Sequence, residues 1–154
     1  MPVFFILTEM RLQGYNKYNS TKTKGKRELY MTIADMVSVL DAKVLCGEHR
    51  LDRTVHSAFC SDLMSDVLAF VNEKTVLITG IINPQVIRTA EMLDIRCMIF
   101  VRGKIPPEAV LSQARELGIT VLATGESAFT TCGKLYEAGL RGVAIEWPES
   151  EDGT

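Results

Sequence analysis

Histidine is scarce in this chain: 154 residues hold two, His49 and His56. Neither stands in a G-x-S-x-G or another nucleophile motif. The four cysteines, at positions 46, 60, 97 and 132, include no C-x-x-C pair, so the spaced ligand set of a zinc site is missing. Each lies in an apolar run, where a thiol acts as a small hydrophobe, and such usage fits a reducing cytoplasm. No apolar run approaches the about 18 residues of a membrane span. The short apolar stretch Val3 to Leu7 lacks the basic region and cleavage site of a signal peptide. G-x-G-x-x-G and G-x-x-x-x-G-K-[ST] are both missing, which removes the usual dinucleotide and triphosphate signatures. Asp62 and Asp66 lie one helical turn apart, but a solvated helix face explains them as well as a metal does. No catalytic group, metal or cofactor is expected, so the chain reads as a non-enzyme.

Charge of one sign is also lacking overall, with a net of −2, yet the balance is uneven. Residues 1–30 carry six Lys or Arg against two Glu, a net of +4; residues 31–154 carry eleven against seventeen, a net of −6. An acidic body offers no phosphate-tracking surface, so nucleic acid is not an expected partner. The basic leader has no apolar periodicity and reads as disordered. Met31 then opens MTIADMVSVL, where Thr32 can cap a helix and Asp35 falls three residues on. Met31 is therefore expected to be the true start, with residues 1–30 a mis-assigned leader; a flexible tail or a basic arm for an anionic partner are the alternatives. The expected domain covers 31–140. The tail 141–154 holds an apolar run to Trp147, placed either on the core or on a partner, and ends acidic.

What is present is alternation. Helical spacing covers 33–40, 62–71, 84–93, 106–116 and 127–137. Apolar or alternating strands cover 43–47, 53–59, 75–80, 95–101 and 119–124. Strand and helix in turn, with short links, imply an α/β fold with a mainly parallel sheet and right-handed crossovers. About 150 residues suffice for one self-sustaining core.

Ligands of open parallel sheets gather at the carboxyl ends of the strands. That edge holds Thr79 and Gly80 with Asn83, then Arg102, Gly103 and Lys104, then Thr124 and Gly125 with Ser127. Small residues there permit close backbone approach, helix starts offer N–H groups, and Arg102 and Lys104 supply charge, which suits a phosphorylated small molecule. Each feature also has a purely structural reading, because a glycine turns the chain and Asn-Pro starts a helix. The triplet Asp52, Arg53, Thr54 remains open between a turn, a charge-assisted lock and an anion contact; its expected role is to fix the second strand or a dimer contact.

The order LDRTV, SDLMSDVLAF, VLITG-x-x-NPQVIRTAEML, CMIFVRGKIPPEAV and ITVLAT resembles the DRTGG domain family over about residues 31–140. The two glycines of the family name do not adjoin the triplet here; their role is carried onto Gly80 and Gly103. The resemblance implies a three-layer sandwich similar to the N-terminal domains of HPr kinase/phosphorylase and muramyl ligases, and a homodimer. It implies a regulatory module without established catalytic residues, of a kind found beside CBS domains in pyrophosphatases, in phosphate acetyltransferases and alone. Some stand-alone members are encoded with iron-hydrogenase components in anaerobic bacteria. The expected function is a ligand-sensing module for a nucleotide or similar phosphorylated molecule. The alternative is an interaction or assembly subunit of a fermentative, hydrogenase-associated redox complex with a protein partner.

Overall fold

The structure, a computed structural model, describes residues 30–146. Residues 1–29 of the leader and the end of the tail with Trp147, for which expectations were formed above, lie outside the described residues. The chain runs β1 (Met31–Thr32), α1 (Ile33–Leu40), β2 (Lys43–Cys46), a 3-10 turn (Glu48–Arg50), β3 (Thr54–Val55), β4 (Ser57–Cys60), α2 (Met64–Phe70), β5 (Thr75–Thr79), α3 (Pro84–Met92), β6 (Cys97–Phe100), α4 (Glu108–Leu117), β7 (Thr120–Ala123) and α5 (Ala128–Glu137).

The main sheet has the order β2-β7-β6-β5-β4. β4, β5, β6 and β7 are mutually parallel neighbours, and β2 is antiparallel to β7. Strands in sequential order, joined by crossovers of one hand, send every connecting helix to one face. α2, α3 and α4 accordingly cover the first face, packing Val67, Ile87 and Ala114 onto Leu77, Phe100 and Val121. α1 and α5 cover the second face, with Met36 and Leu135 on Val76, Ile78 and Ile99. Alternate residues of β5 and β6 thus feed opposite cores, which is why both strands are buried throughout. The result is a three-layer α/β sandwich with a mainly parallel sheet.

Local sequence sets the element ends. Thr32 and Asp35 form a capping box on α1: Asp35 N–H donates to Thr32 Oγ1 at 3.1 Å, and Thr32 N–H donates to Asp35 Oδ2 at 3.0 Å. Gly118 ends α4 at φ 69°. The outer edge of β4 is covered by the segment after α5, since Ala58 N–H donates to Arg141 O at 2.9 Å and Val143 N–H to Ala58 O at 3.2 Å.

Two expectations change. The strand expected over 53–59 breaks at His56: Thr54–Val55 pairs antiparallel with Met31–Thr32, and Ser57–Cys60 joins the main sheet beside β5. The His56 and Ser57 N–H groups both turn to Lys74 O, at 2.8 and 3.4 Å. Val55 and Ala58 pack on the second face and Phe59 on the first, so the two pieces do not share one alternation although the sequence alternates evenly. The helix expected from Asp62 starts at Met64, which leaves Asp62 in the loop and free to act elsewhere.

Candidate functional site

The carboxyl ends of β4, β5 and β6 meet at Asp62. Ser61 N–H donates to Ile78 O at 3.1 Å, which carries the ladder one residue past β4 and delivers Asp62 beside the end of β5. Its Oδ1 accepts the Gly80 N–H at 2.7 Å and the Thr79 hydroxyl at 3.0 Å. Its Oδ2 faces Arg102 Nη2 at 3.4 Å. The Gly80 N–H, then the Thr79 hydroxyl and the Arg102 guanidinium, hold the Asp62 carboxyl below its ordinary range against an opposing push from burial. Thr79 and Gly80 are buried, whereas the Asp62 and Arg102 side chains are about half exposed, at 51% and 45%. The pair is therefore open to solvent and to a competing anion.

Arg102 reaches this position from an uncommon backbone. Its φ is 59° and that of Gly103 is 66°, so two successive residues turn in the left-handed region. A non-glycine residue there costs on the order of 1–2 kcal/mol. The turn is held from the β7 side, where Arg102 N–H donates to Glu126 O at 2.8 Å and Gly103 N–H to Thr124 O at 2.9 Å. Gly80 makes room for the guanidinium, because a Cβ at that position would fall on Arg102. Positive charge is thereby laid across a bare stretch of backbone.

The other expected residues divide by task. Asn83 Oδ1 accepts from Gln85 N–H at 3.0 Å and caps α3. Ser127 Oγ accepts from Thr130 N–H at 3.2 Å and caps α5. Thr124 Oγ1 accepts from Glu126 N–H at 3.2 Å, and the Glu126 carboxylate holds Lys134 at 2.7 Å. Lys104 is exposed. Thr79, Gly80 and Arg102 are thus joined directly through Asp62, Gly103 and Thr124 through the backbone, and Asn83 and Ser127 are exposed helix caps. The sequence reading weighed Asp62 only with Asp66 and missed its place on this edge, where three strand ends were counted. Ser61-Asp62 is the end of a fourth parallel strand on the same edge, and counting it would have found the carboxylate.

Asp52, Arg53 and Thr54 lie at the opposite, amino edge of the parallel strands. Arg53 Nη1 donates to Gly118 O at 2.8 Å, just before β7. The carbonyls of Arg53 and Leu51 each accept at 2.9 Å from Ile33 and Ala34 N–H, at the start of α1. Thr54 pairs with Thr32. Burial, then the nearby positive charges of Arg50 and Arg96, lowers the Arg53 pKa from its ordinary value. The triplet therefore ties α1, β3 and the end of α4 together, away from Gly80 and Gly103. Among the described residues no group of three or more His, Cys, Asp or Glu could hold a metal ion.

No curated protein matches the chain. Among solved structures it is similar to the CBS and DRTGG domains of the regulatory region of Clostridium perfringens pyrophosphatase, complexed with its activator diadenosine tetraphosphate. That likeness has a TM-score of 0.62 at 15% identity and covers 82% of this chain but 56% of the other, so this chain spans little more than half of that regulatory region. The family model of the DRTGG domain matches residues 35–138, a span that contains the Asp52 triplet at one edge of the sheet and the Asp62–Arg102 pair at the other. On that match, this chain belongs to the DRTGG domain family.

Proposed function

We propose that this chain is a non-enzymatic regulatory module that binds a nucleotide or similar phosphorylated small molecule at the carboxyl edge of its sheet. The observation that carries the reading is Arg102 laid across Gly80 and anchored by Asp62. Its contact with Asp62 leaves most of the guanidinium N–H donors available. A phosphate placed there meets Arg102, then Lys104 and the open backbone at Gly103 and Gly125, where a Cβ would touch nothing within 4 Å. The similar pyrophosphatase regulatory region, CBS domains included, is complexed with a dinucleotide activator, which is in keeping with a phosphorylated ligand. Ligand that binds only the native state must raise the unfolding temperature. Millimolar adenine nucleotides, diadenosine tetraphosphate included, are expected to raise it for the wild type and not for Arg102→Ala. No shift with any of them contradicts the reading.

The module is further proposed to work as a homodimer in the cytoplasm of a bacterium. Leu63, Leu68 and Phe70, in and just before α2, stay 57%, 43% and 40% exposed, apolar surface of the kind subunit contacts use. Sedimentation at micromolar concentration is expected to give a dimer, and a monomer contradicts it. Stable co-purification with a redox-complex subunit would favour the assembly-subunit reading instead.

A further inference from the structure

On the second face of the sheet, α5 lies across β4 and β5. Its inward stripe runs Ala128, Thr131, Cys132 and Leu135, the spacing of one helical face. β4 alternates, so Ala58 and Cys60 turn toward α5 and Phe59 toward the other core. The last residue of β4 and the second turn of α5 therefore bring two thiols to one place. Cys60 and Cys132 line a common apolar cavity of about 190 Å³ with Ala58, Ile78, Leu135 and Leu140.

The remaining cysteines differ sharply. Cys46 and Cys97 are 1% and 0% exposed, and burial pushes both thiols up. Cys60 is exposed and Cys132 partly so. The neighbouring Cys132 thiol, with burial, pushes Cys60 up. Cys60 in turn lowers Cys132 to about 7, so the two thiols titrate as a pair that gives up one proton readily.

We propose that Cys60 and Cys132 form a reversible dithiol modification site that exchanges with small organic disulfides. The Cys132 thiolate attacks one sulfur of R–S–S–R. The S–S bond breaks, leaving a mixed disulfide on Cys132 and releasing one RS⁻. Cys60 then gives its proton to solvent and attacks the Cys132 sulfur, releasing the second RS⁻. Two thiols are oxidised to one disulfide and the reagent is reduced to two RSH. The new bond joins the end of β4 to α5, and it does not depend on the ligand reading above.

The full chain, fully reduced, is treated with glutathione disulfide under native conditions, denatured, alkylated with iodoacetamide and mapped by mass spectrometry. Cys46 and Cys97 are expected alkylated, with Cys60 and Cys132 joined in one peptide pair that dithiothreitol separates. Cys60→Ser is expected to hold the glutathione adduct on Cys132, because the second attack is lost. Cys132→Ser is expected to stop at a glutathione adduct on Cys60, again without a crosslink. Wild-type protein that returns both thiols alkylated, or stops at adducts without a crosslink, overturns the proposal, and that mapping stands whether or not either variant folds.

Discussion

Asp62 serves two neighbours with one oxygen and a cation with the other, so its removal acts in two ways. In Asp62→Ala the buried Gly80 N–H loses its acceptor, at a cost of roughly 1–3 kcal/mol, and Arg102 loses its anchor. Asp62→Asn keeps an acceptor and removes only the charge. The folded Asp62 pKa lies below the unfolded value of about 3.9. Its charge therefore adds stability that is full above the unfolded value and is lost as pH falls through the folded one. Urea midpoints are expected to separate wild type from Asp62→Asn at pH about 7 and to draw together as pH falls below the unfolded carboxyl value; a gap independent of pH contradicts the assigned charge. The residue types at this edge were legible in the sequence. The hub was not, because an Asp before an apolar helix reads first as a helix-start residue.

Elements here are set by local chemistry where the chain is regular and by tertiary contacts where it is not. The α1 capping box and the glycine end of α4 follow from nearby residues and were readable in advance. The division of residues 53–59 between two sheets was not, since it depends on Lys74 O and on Met31, both distant in sequence. Gly47 shows the same dependence after β2. It sits at φ 85°, and a Cβ there would lie 2.8 Å from Thr120 Cα and 2.6 Å from its Oγ1. Both the backbone angle and the β7 main chain oppose a side chain. Gly47→Ala is expected to lose about 1–3 kcal/mol in chemical denaturation, while an unchanged midpoint would mean that β2 and β7 separate without cost.

At the scale of the whole molecule, the sheet keeps two sets of residues apart. The alternation of strand and helix made the layered parallel architecture readable. It did not give the end of the sheet on which the triplet lies, because that depends on Arg53 reaching Gly118, 65 residues away. This separation gives Arg53 and Arg102 different tasks. Arg53→Ala is expected to lower stability by about 1–2 kcal/mol through the lost charged hydrogen bond and to leave nucleotide affinity unchanged. Calorimetric titration checks this, and a collapse of affinity with stability intact would move the ligand to the amino edge.

Ligand binding at the carboxyl edge of the sheet can be read residue by residue from amide NMR during nucleotide titration. Gly80, Gly103 and Gly125 lie on the proposed site; Gly47 and Gly118 mark the opposite edge and serve as internal references. Saturable shifts are expected at the first three amides, with little change at the other two. Shifts centred on Gly118 and Gly47, or none at millimolar nucleotide, would contradict it.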